Sequence, residues 1–415
     1  AVPGDGMNPG ARRVGLLVLA AITIPGVALG IMVLPWSELT NPARPGISAH
    51  SLFSASYLEH ARSYYLPQRY LGLLSLLVTT VLILVLGFTR LGPRLMVRLP
   101  GPWWSQTLIG CFVIQAMTTA VVLPIKLWLQ LRATRFGLVS GGIRQWLIDL
   151  LVGLVTNWVF TAIPVLLLIL LVRRAPKWWP ALAALTLSAL VVMGSFLSPL
   201  VIEPLFNKFH PLADPGLKAG IQSLAATEQV SISQVLVADA SRRTTTLNAY
   251  VSGFGSTRRV VLYDTLLKQA EQPEVLGVVA HELAHARHRD YLIGTMVAAG
   301  GVAAGMGLLP LLLRRWQRPP DATLVPRLLA LGVLASLAVA PIQNGLSRAM
   351  ETRADRDAVI ATKDPKAYEL MQIRLARASL SDPDPPRILS FWFATHPSTV
   401  QRVAAARSVH LDQRL

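Results

Sequence analysis

The sequence predicts a mainly α-helical, polytopic membrane protein of about seven transmembrane helices, with a small α+β domain outside them. Three features point there. Of 415 residues, 53% are hydrophobic and only 15% charged, with a mean hydropathy of +0.48, whereas soluble domains are about one quarter charged. Seven runs approach or meet the roughly 20 apolar residues that a helix needs to cross a bilayer. A polar insert, about 201–290, and a polar tail, about 347–415, interrupt and follow those runs.

In chain order the runs are Val14–Pro35, Tyr70–Thr89, Trp104–Ile125, Leu150–Val172, Trp179–Leu200, Tyr291–Leu313 and Leu328–Leu346. The first is longer than a signal-peptide core and no small-residue cleavage site follows it, so it is expected to remain as a span. Asp149 and Asn157, at the edge of and within the fourth, predict a helix with one side on protein or water. The last is short and carries Pro341, which interrupts it. Trp103, Trp104, Trp178 and Trp179 stand where interfacial aromatics belong. The stretch "GVAAG" (301–305) offers a small-residue face for close helix packing. The expected division is a tail over 1–13, five spans over 14–200, the polar insert over 201–290, two spans over 291–346 and a C-terminal segment over 347–415. Seven spans put insert and tail on one face of the membrane, where together they can build one domain.

The net charge is +17 and the pI about 10.8. Because the arginines punctuate apolar runs and form no single stripe, the expected partners are membrane lipids and not nucleic acid. Counting basic residues leaves orientation open. It gives 12, including Arg314, Arg315 and Arg318, on the N-terminal side against 7 opposite, or 12 against 13 with all flanking residues included. The single cysteine, Cys111, excludes an intrachain disulfide framework and a multi-thiolate metal site.

The chemistry is concentrated in "HELAH" (281–285). His281 and His285, four apart, share one helix face and can reach one Zn²⁺. Glu282 is turned about 100° from His281, placed to act as general base toward an attacking water without ligating. The preceding "EQPEVLGVVA" supplies Pro273 near a helix start and Val275, Leu276, Val278 and Val279 as a buried side, so the motif is expected on a helix. A third protein ligand is needed. His288 lies on the same face but about 10 Å further along the helix than His281, with no glycine break to bring it back. In "SRAMETRADRDAV" (347–359), Glu351 and Asp355 also share a face. Glu351 fits as a ligand, and Asp355 as acceptor of a histidine's other ring N–H. A solvated acidic pair among Arg348, Arg353 and Arg356 is the simpler reading of those residues alone.

"HELAH" followed by "ETRAD" after two apolar spans resembles the integral-membrane gluzincins of the type-I CAAX prenyl endopeptidase family. The likeness covers nearly the whole chain and extends to "IEPLFNKFHPL" (202–212), "NAYVSGFG" (248–255), "RRVVLYDTLL" (258–267) and "THPSTVQR" (395–402). It implies seven helices enclosing a water-filled chamber, with a zincin-like catalytic domain. One Zn²⁺ would be held by His281, His285 and Glu351, with Glu282 as base, and the catalytic face would be cytoplasmic. It further implies an edge strand, with Asn248 and Ala249, holding the substrate backbone, and His396 donating to the developing oxyanion. The expected substrate is a peptide or protein, with or without a lipid, cut at the membrane surface. The high Ala, Arg and Leu usage points to a GC-rich bacterium and its cell membrane, which favours broader membrane-protein quality control or peptide processing as the alternative. A non-catalytic scaffold and a transporter are the rival classes. Intact motif residues speak against the first, and a transporter gives no reason for a zinc motif. Arg287, Arg289 and Asp290 separate His285 from the apolar run and disfavour a motif buried inside a span.

Overall fold

The computed structural model describes residues 8–33, 35, 46–201, 203–253, 255–313 and 320–412. Residues 1–7 of the expected tail, and Arg314, Arg315 and Arg318 of the charge count, lie outside them. Eleven longer helices matter for the site. They are α1 (Pro9–Val33), α2 (Ala55–Phe88), α3 (Trp103–Arg135), α4 (Ile143–Arg174), α5 (Trp179–Val201), α6 (Pro215–Thr227), α7 (Gln272–His288), α8 (Asp290–Leu312), α9 (Val325–Thr362), α10 (Pro365–Ser379) and α11 (Thr399–Asp412). Among the described residues six helices are long and apolar enough to cross a membrane: α2, α3, α4, α5, α8 and the one containing α9. The first expected run is also helical, as α1.

Most of these helices outrun their apolar stretches. Helix α2 has 34 residues, about 51 Å at 1.5 Å per residue against a hydrocarbon core of about 30 Å. Helix α9 departs from expectation. Pro341 does not interrupt it: the helix continues unbroken for 38 residues, so Glu351 and Asp355 ride on the same rod as the last apolar run. Neighbouring helices can re-satisfy the carbonyl that a proline frees, which is why an apolar helix tolerates one.

Two further expectations are corrected. Trp178 and Trp104 are exposed, but Trp179 is fully buried, packed with Leu168, Val172, Leu309 and Leu313. In α8, Gly301 and Gly305 face open space. The contact stripe lies on the opposite face of the helix, on Ala299, Ala303 and Gly307. There Ser188 Oγ donates to the Ala299 carbonyl at 2.8 Å, and a Cβ on Gly15 would meet the Gly307 carbonyl oxygen at 2.5 Å. A period of four keeps such residues on one face, so Ala and Gly serve equally.

Outside the apolar helices a four-stranded sheet forms from β1 (Phe209–Pro211), β2 (Gln234–Ala238), β3 (Ala249–Ser252) and β4 (Arg259–Tyr263), in the order β1-β2-β4-β3. β2 and β4 are parallel, while β3 pairs antiparallel with β4 across the glycine-rich turn, Ala249 opposite Leu262. β3 is therefore an edge. The sheet, α6, α7, α10 and α11 share one apolar core that includes Ile221, Val260, Leu262, Val279, Leu283 and Tyr368. Asp149 of α4 joins the apolar helices to this layer, accepting from Arg243 Nε at 3.0 Å and Nη2 at 3.2 Å.

Candidate metal centre

Helix α7 begins with a reciprocal capping box between Glu271 and Glu274, and Pro273 occupies its first turn. Val275, Val278 and Val279 are buried against the sheet, which fixes the rotation of the helix and turns His281 and His285 toward α9. The helix ends at His288 because Arg289 takes a left-handed backbone (φ 57°, ψ 33°), and α8 starts at the next residue.

His281 Nε2 lies 3.1 Å from His285 Nε2 and 3.3 Å from Glu351 Oε2, and His285 Nε2 lies 3.3 Å from Glu351 Oε1. Both imidazoles are committed on the far side. His281 Nδ1 is 2.9 Å from Asp355 Oδ1, and His285 Nδ1 is 2.9 Å from Asp290 Oδ2. Each Nδ1–H donated to a carboxylate leaves Nε2 as a bare lone pair. Three acceptors thus converge with no hydrogen between them, and Glu351 Oε2 is buried without a donor. A cation satisfies all three. Ligands at about 2.0–2.1 Å from a tetrahedral ion sit about 3.3–3.4 Å apart, close to the 3.1 Å and 3.3 Å seen here. The residues fit a metal.

The carboxylates behind the histidines are themselves held. Asp355, 1% exposed, accepts from Arg402 Nη2 (2.5 Å) and Nε (2.9 Å) and from the Tyr368 hydroxyl (2.5 Å). Buried Asp290 is paired with Arg353. Helices α7, α8, α9, α10 and α11 therefore all contribute to one buried polar network.

Of the residues singled out in the sequence, His281, Glu282, His285, Glu351, Asp355 and His396 are brought together. Glu282 is half-buried on the wall of a cavity of about 950 Å³, shared with His285, Glu351, Tyr250, Val251 and the start of α8. Burial raises its carboxyl above the ordinary value, which strengthens it as a base. His396 Nε2 stands 3.4 Å from Glu351 Oε1, and burial lowers its imidazole toward the neutral form. His288 turns away and pairs with Asp357 at 2.6 Å. The Asn248 carbonyl accepts from Tyr263 N at 3.0 Å, facing the sheet. By the period of two, the backbone groups of Ala249 and Val251 face away from β4, but Ala249 is buried and of the two only Val251 lines the cavity. Glu203 of the "IEPLF" segment meets Arg259 (3.2 Å) and Tyr250 (3.1 Å), tying the end of α5 to β3. Sequence reasoning missed Asp290, Tyr368, Arg353 and Arg402. Arg402 closes the same "THPSTVQR" segment that holds His396, so the signal was present; Tyr368 carried none.

A centre of this kind, borne on helices that cross a bilayer, is that of a membrane metalloendopeptidase. Comparison with known proteins agrees. The family model described as CAAX prenyl protease N-terminal, five membrane helices, matches residues 42–208, and that of Peptidase family M48 matches 211–410. An uncharacterized metalloprotease of Bacillus subtilis, YhfN, is 29% identical over 72% of this chain and 73% of its own length. A CAAX prenyl protease 1 homolog of Arabidopsis thaliana is 32% identical over 52% of this chain and 53% of its own. The crystal structure of S. mikatae Ste24p superposes with a TM-score of 0.77 at 20% identity, covering 94% of this chain and 98% of that one. The two family models between them match residues 42–208 and 211–410, and the chain is an integral, multi-pass membrane metalloendopeptidase similar to the M48 peptidases.

Proposed function

We propose that the protein is a zinc endopeptidase that cuts peptide bonds in membrane-associated or lipidated substrates at the membrane surface. The observation that carries this is the convergence of His281, His285 and Glu351 beside a large cavity at the foot of two apolar helices. Two imidazoles and one carboxylate suit zinc among the common divalent ions. The ion, when bound, supplies Lewis acidity and an acidified water.

The chain's own residues do the rest. Asp355 and Asp290 fix the tautomers of the two histidines. The edge of β3, where Val251 lines the cavity, holds an extended substrate backbone across the site, with Asn248 and Ala249 at the start of that strand. Glu282 takes the proton of the attacking water and returns it to the leaving amine. His396 donates a hydrogen bond to the carbonyl oxygen as negative charge develops there. The proposed setting is a bacterial cell membrane, in keeping with the Bacillus relative, with the catalytic face toward the cytoplasm.

The test is cleavage of two matched peptides in detergent, one farnesylated at a C-terminal cysteine motif and one unmodified, with chelated enzyme as the blank. Cutting of the lipidated peptide alone assigns lipid recognition to the cavity. Equal cutting of both favours quality control or peptide processing. Failure to cut either refutes the peptidase reading.

A further inference from the structure

Two arginines on the wall of the cavity have no place in that mechanism. Arg258 stands at the end of the turn before β4 and Arg289 joins α7 to α8, and both line the space that holds Glu282, His285 and Glu351. Neighbouring arginines are neutralised: Arg259 by Glu203 at 3.2 Å, Arg287 by Glu228 at 3.2 Å, Arg402 by Asp355 at 2.5 Å, and Arg353 by Asp290. Among the described residues no hydrogen-bond or ion-pair partner meets the guanidinium of Arg258 or of Arg289. The carboxylates of the cavity are engaged elsewhere, Glu203 with Arg259 and Tyr250, Asp290 with His285 and Arg353, Glu351 with the histidines. Only Glu282 is left, and it is the base. The two guanidinium charges therefore act on each other. Burial first, and then the charge of Arg289, hold Arg258 below its ordinary value.

Arg289 is held at a second disadvantage. Its left-handed backbone, φ 57°, is one that glycine or asparagine adopts more readily at a helix end. Retaining a long cation there keeps a charge at the cavity wall one turn beyond His285.

The edge of β3 fixes which part of a substrate reaches the pair. An extended peptide pairs more stably in the antiparallel sense. β3 runs from Ala249 toward Ser252 and the turn at Gly253. A peptide laid antiparallel along the cavity-lining part of β3, Tyr250 to Ser252, therefore directs its N-terminal residues toward Gly253 and Arg258. The strand is four residues long, so the arginines at its far end face substrate positions within about four residues on the N-terminal side of the cut.

We propose that Arg258 and Arg289 form a specificity subsite for a carboxylate side chain, Asp or Glu, on the N-terminal side of the scissile bond. The proposal rests on reading the centre as a peptide-cutting site. Guanidinium groups receive a carboxylate through paired, charge-assisted hydrogen bonds, and an anion placed between two like charges removes their repulsion.

A set of otherwise neutral peptides, each with one Glu moved position by position through the sequence, tests this against Gln isosteres in a detergent with a neutral headgroup. kcat/KM is read for the wild type and for the R258Q/R289Q double variant, with bound zinc measured for both. The wild type is expected to favour Glu over Gln by about tenfold or more within that window and by none after the cut. In the double variant the ratio falls to about one. A wild-type ratio near one at every position, with chelator-sensitive cutting intact, overturns the subsite and leaves the peptidase reading standing. Absence of cutting in all peptides overturns that reading, and the subsite with it. A preference that survives in the double variant overturns the assignment to these residues. Equal loss of Glu and Gln peptides, seen only in vesicles containing anionic lipid, makes the pair headgroup contacts and also overturns it.

Discussion

Replacing Asp355 by Ala separates metal binding from scaffold. The carboxylate is 1% exposed and serves three partners at once, Arg402, Tyr368 and His281 Nδ1, at 2.5, 2.5 and 2.9 Å. Two effects follow. Without the acceptor, His281 loses what orients its ring and fixes Nε2 as the free lone pair. Loss of such a group lowers metal affinity about 10–100-fold, or about 1.4–2.8 kcal/mol. Arg402, its side chain 13% exposed, is left as a nearly buried cation without its pair, which costs about 3–5 kcal/mol of stability. Zinc affinity, measured by competition with a chromogenic chelator, reads the first effect, and thermal melting in detergent reads the second. Asp355→Asn keeps an acceptor oxygen for His281 and is expected near the lower end of the affinity loss. An Asp355→Ala protein that binds zinc within twofold of wild type would refute the role given to this residue.

Glu282→Gln is expected to retain one equivalent of zinc while turnover falls by several orders of magnitude; near-normal turnover would sink the proposed base. Asp290→Ala removes the acceptor of His285 Nδ1 and the partner of Arg353, so zinc affinity should drop about 10-fold or more, which the same chelator competition measures. Chelation of the wild type leaves three acceptors facing one another and should lower its melting temperature, with recovery on adding zinc. An unchanged melting curve would show that the metal adds nothing to the folded state. Gly87→Ala places a Cβ 2.3 Å from the Cβ of Ala330 and 2.8 Å from the Pro326 carbonyl oxygen. Overpacking the α2–α9 contact in this way should destabilise the protein by about 1–3 kcal/mol, read as an earlier unfolding transition.

The parts of this molecule governed by local pattern were legible in the sequence. A run of apolar residues has few ways to satisfy its backbone in lipid, so the helices could be placed from composition. Their ends could not, because the polar turns that extend α2, α3 and α4 are stabilised by helix packing and not by apolarity. The motif on α7 was readable because a spacing of four is a property of one helix. The grouping of His281 with Glu351 across 70 positions came only through resemblance, since no local rule links them. Tyr368 and Arg353 lay beyond reach for the same reason. The misreading of Trp179 has a specific cause: a tryptophan at the edge of an apolar run has the same sequence whether it faces headgroups or a neighbouring helix. Pro341 misled because the rule for soluble helices was applied where adjacent helices compensate.

The continuity of α9 has a consequence for how the protein comes into being. The proposed ligand set opened by His281 is closed only by Glu351, with a whole out-and-back passage through the bilayer, α8 and α9, between them. The arginine that braces Asp355 arrives later still, at Arg402 in a chain of 415 residues. During synthesis the hydrolytic motif therefore emerges long before it has a complete set of ligands. A nascent chain stalled within α8 carries two histidines and no third ligand. The proposed ligand set is thus complete only when insertion is nearly finished, an order of assembly with the effect that a removable pro-segment has in secreted proteases.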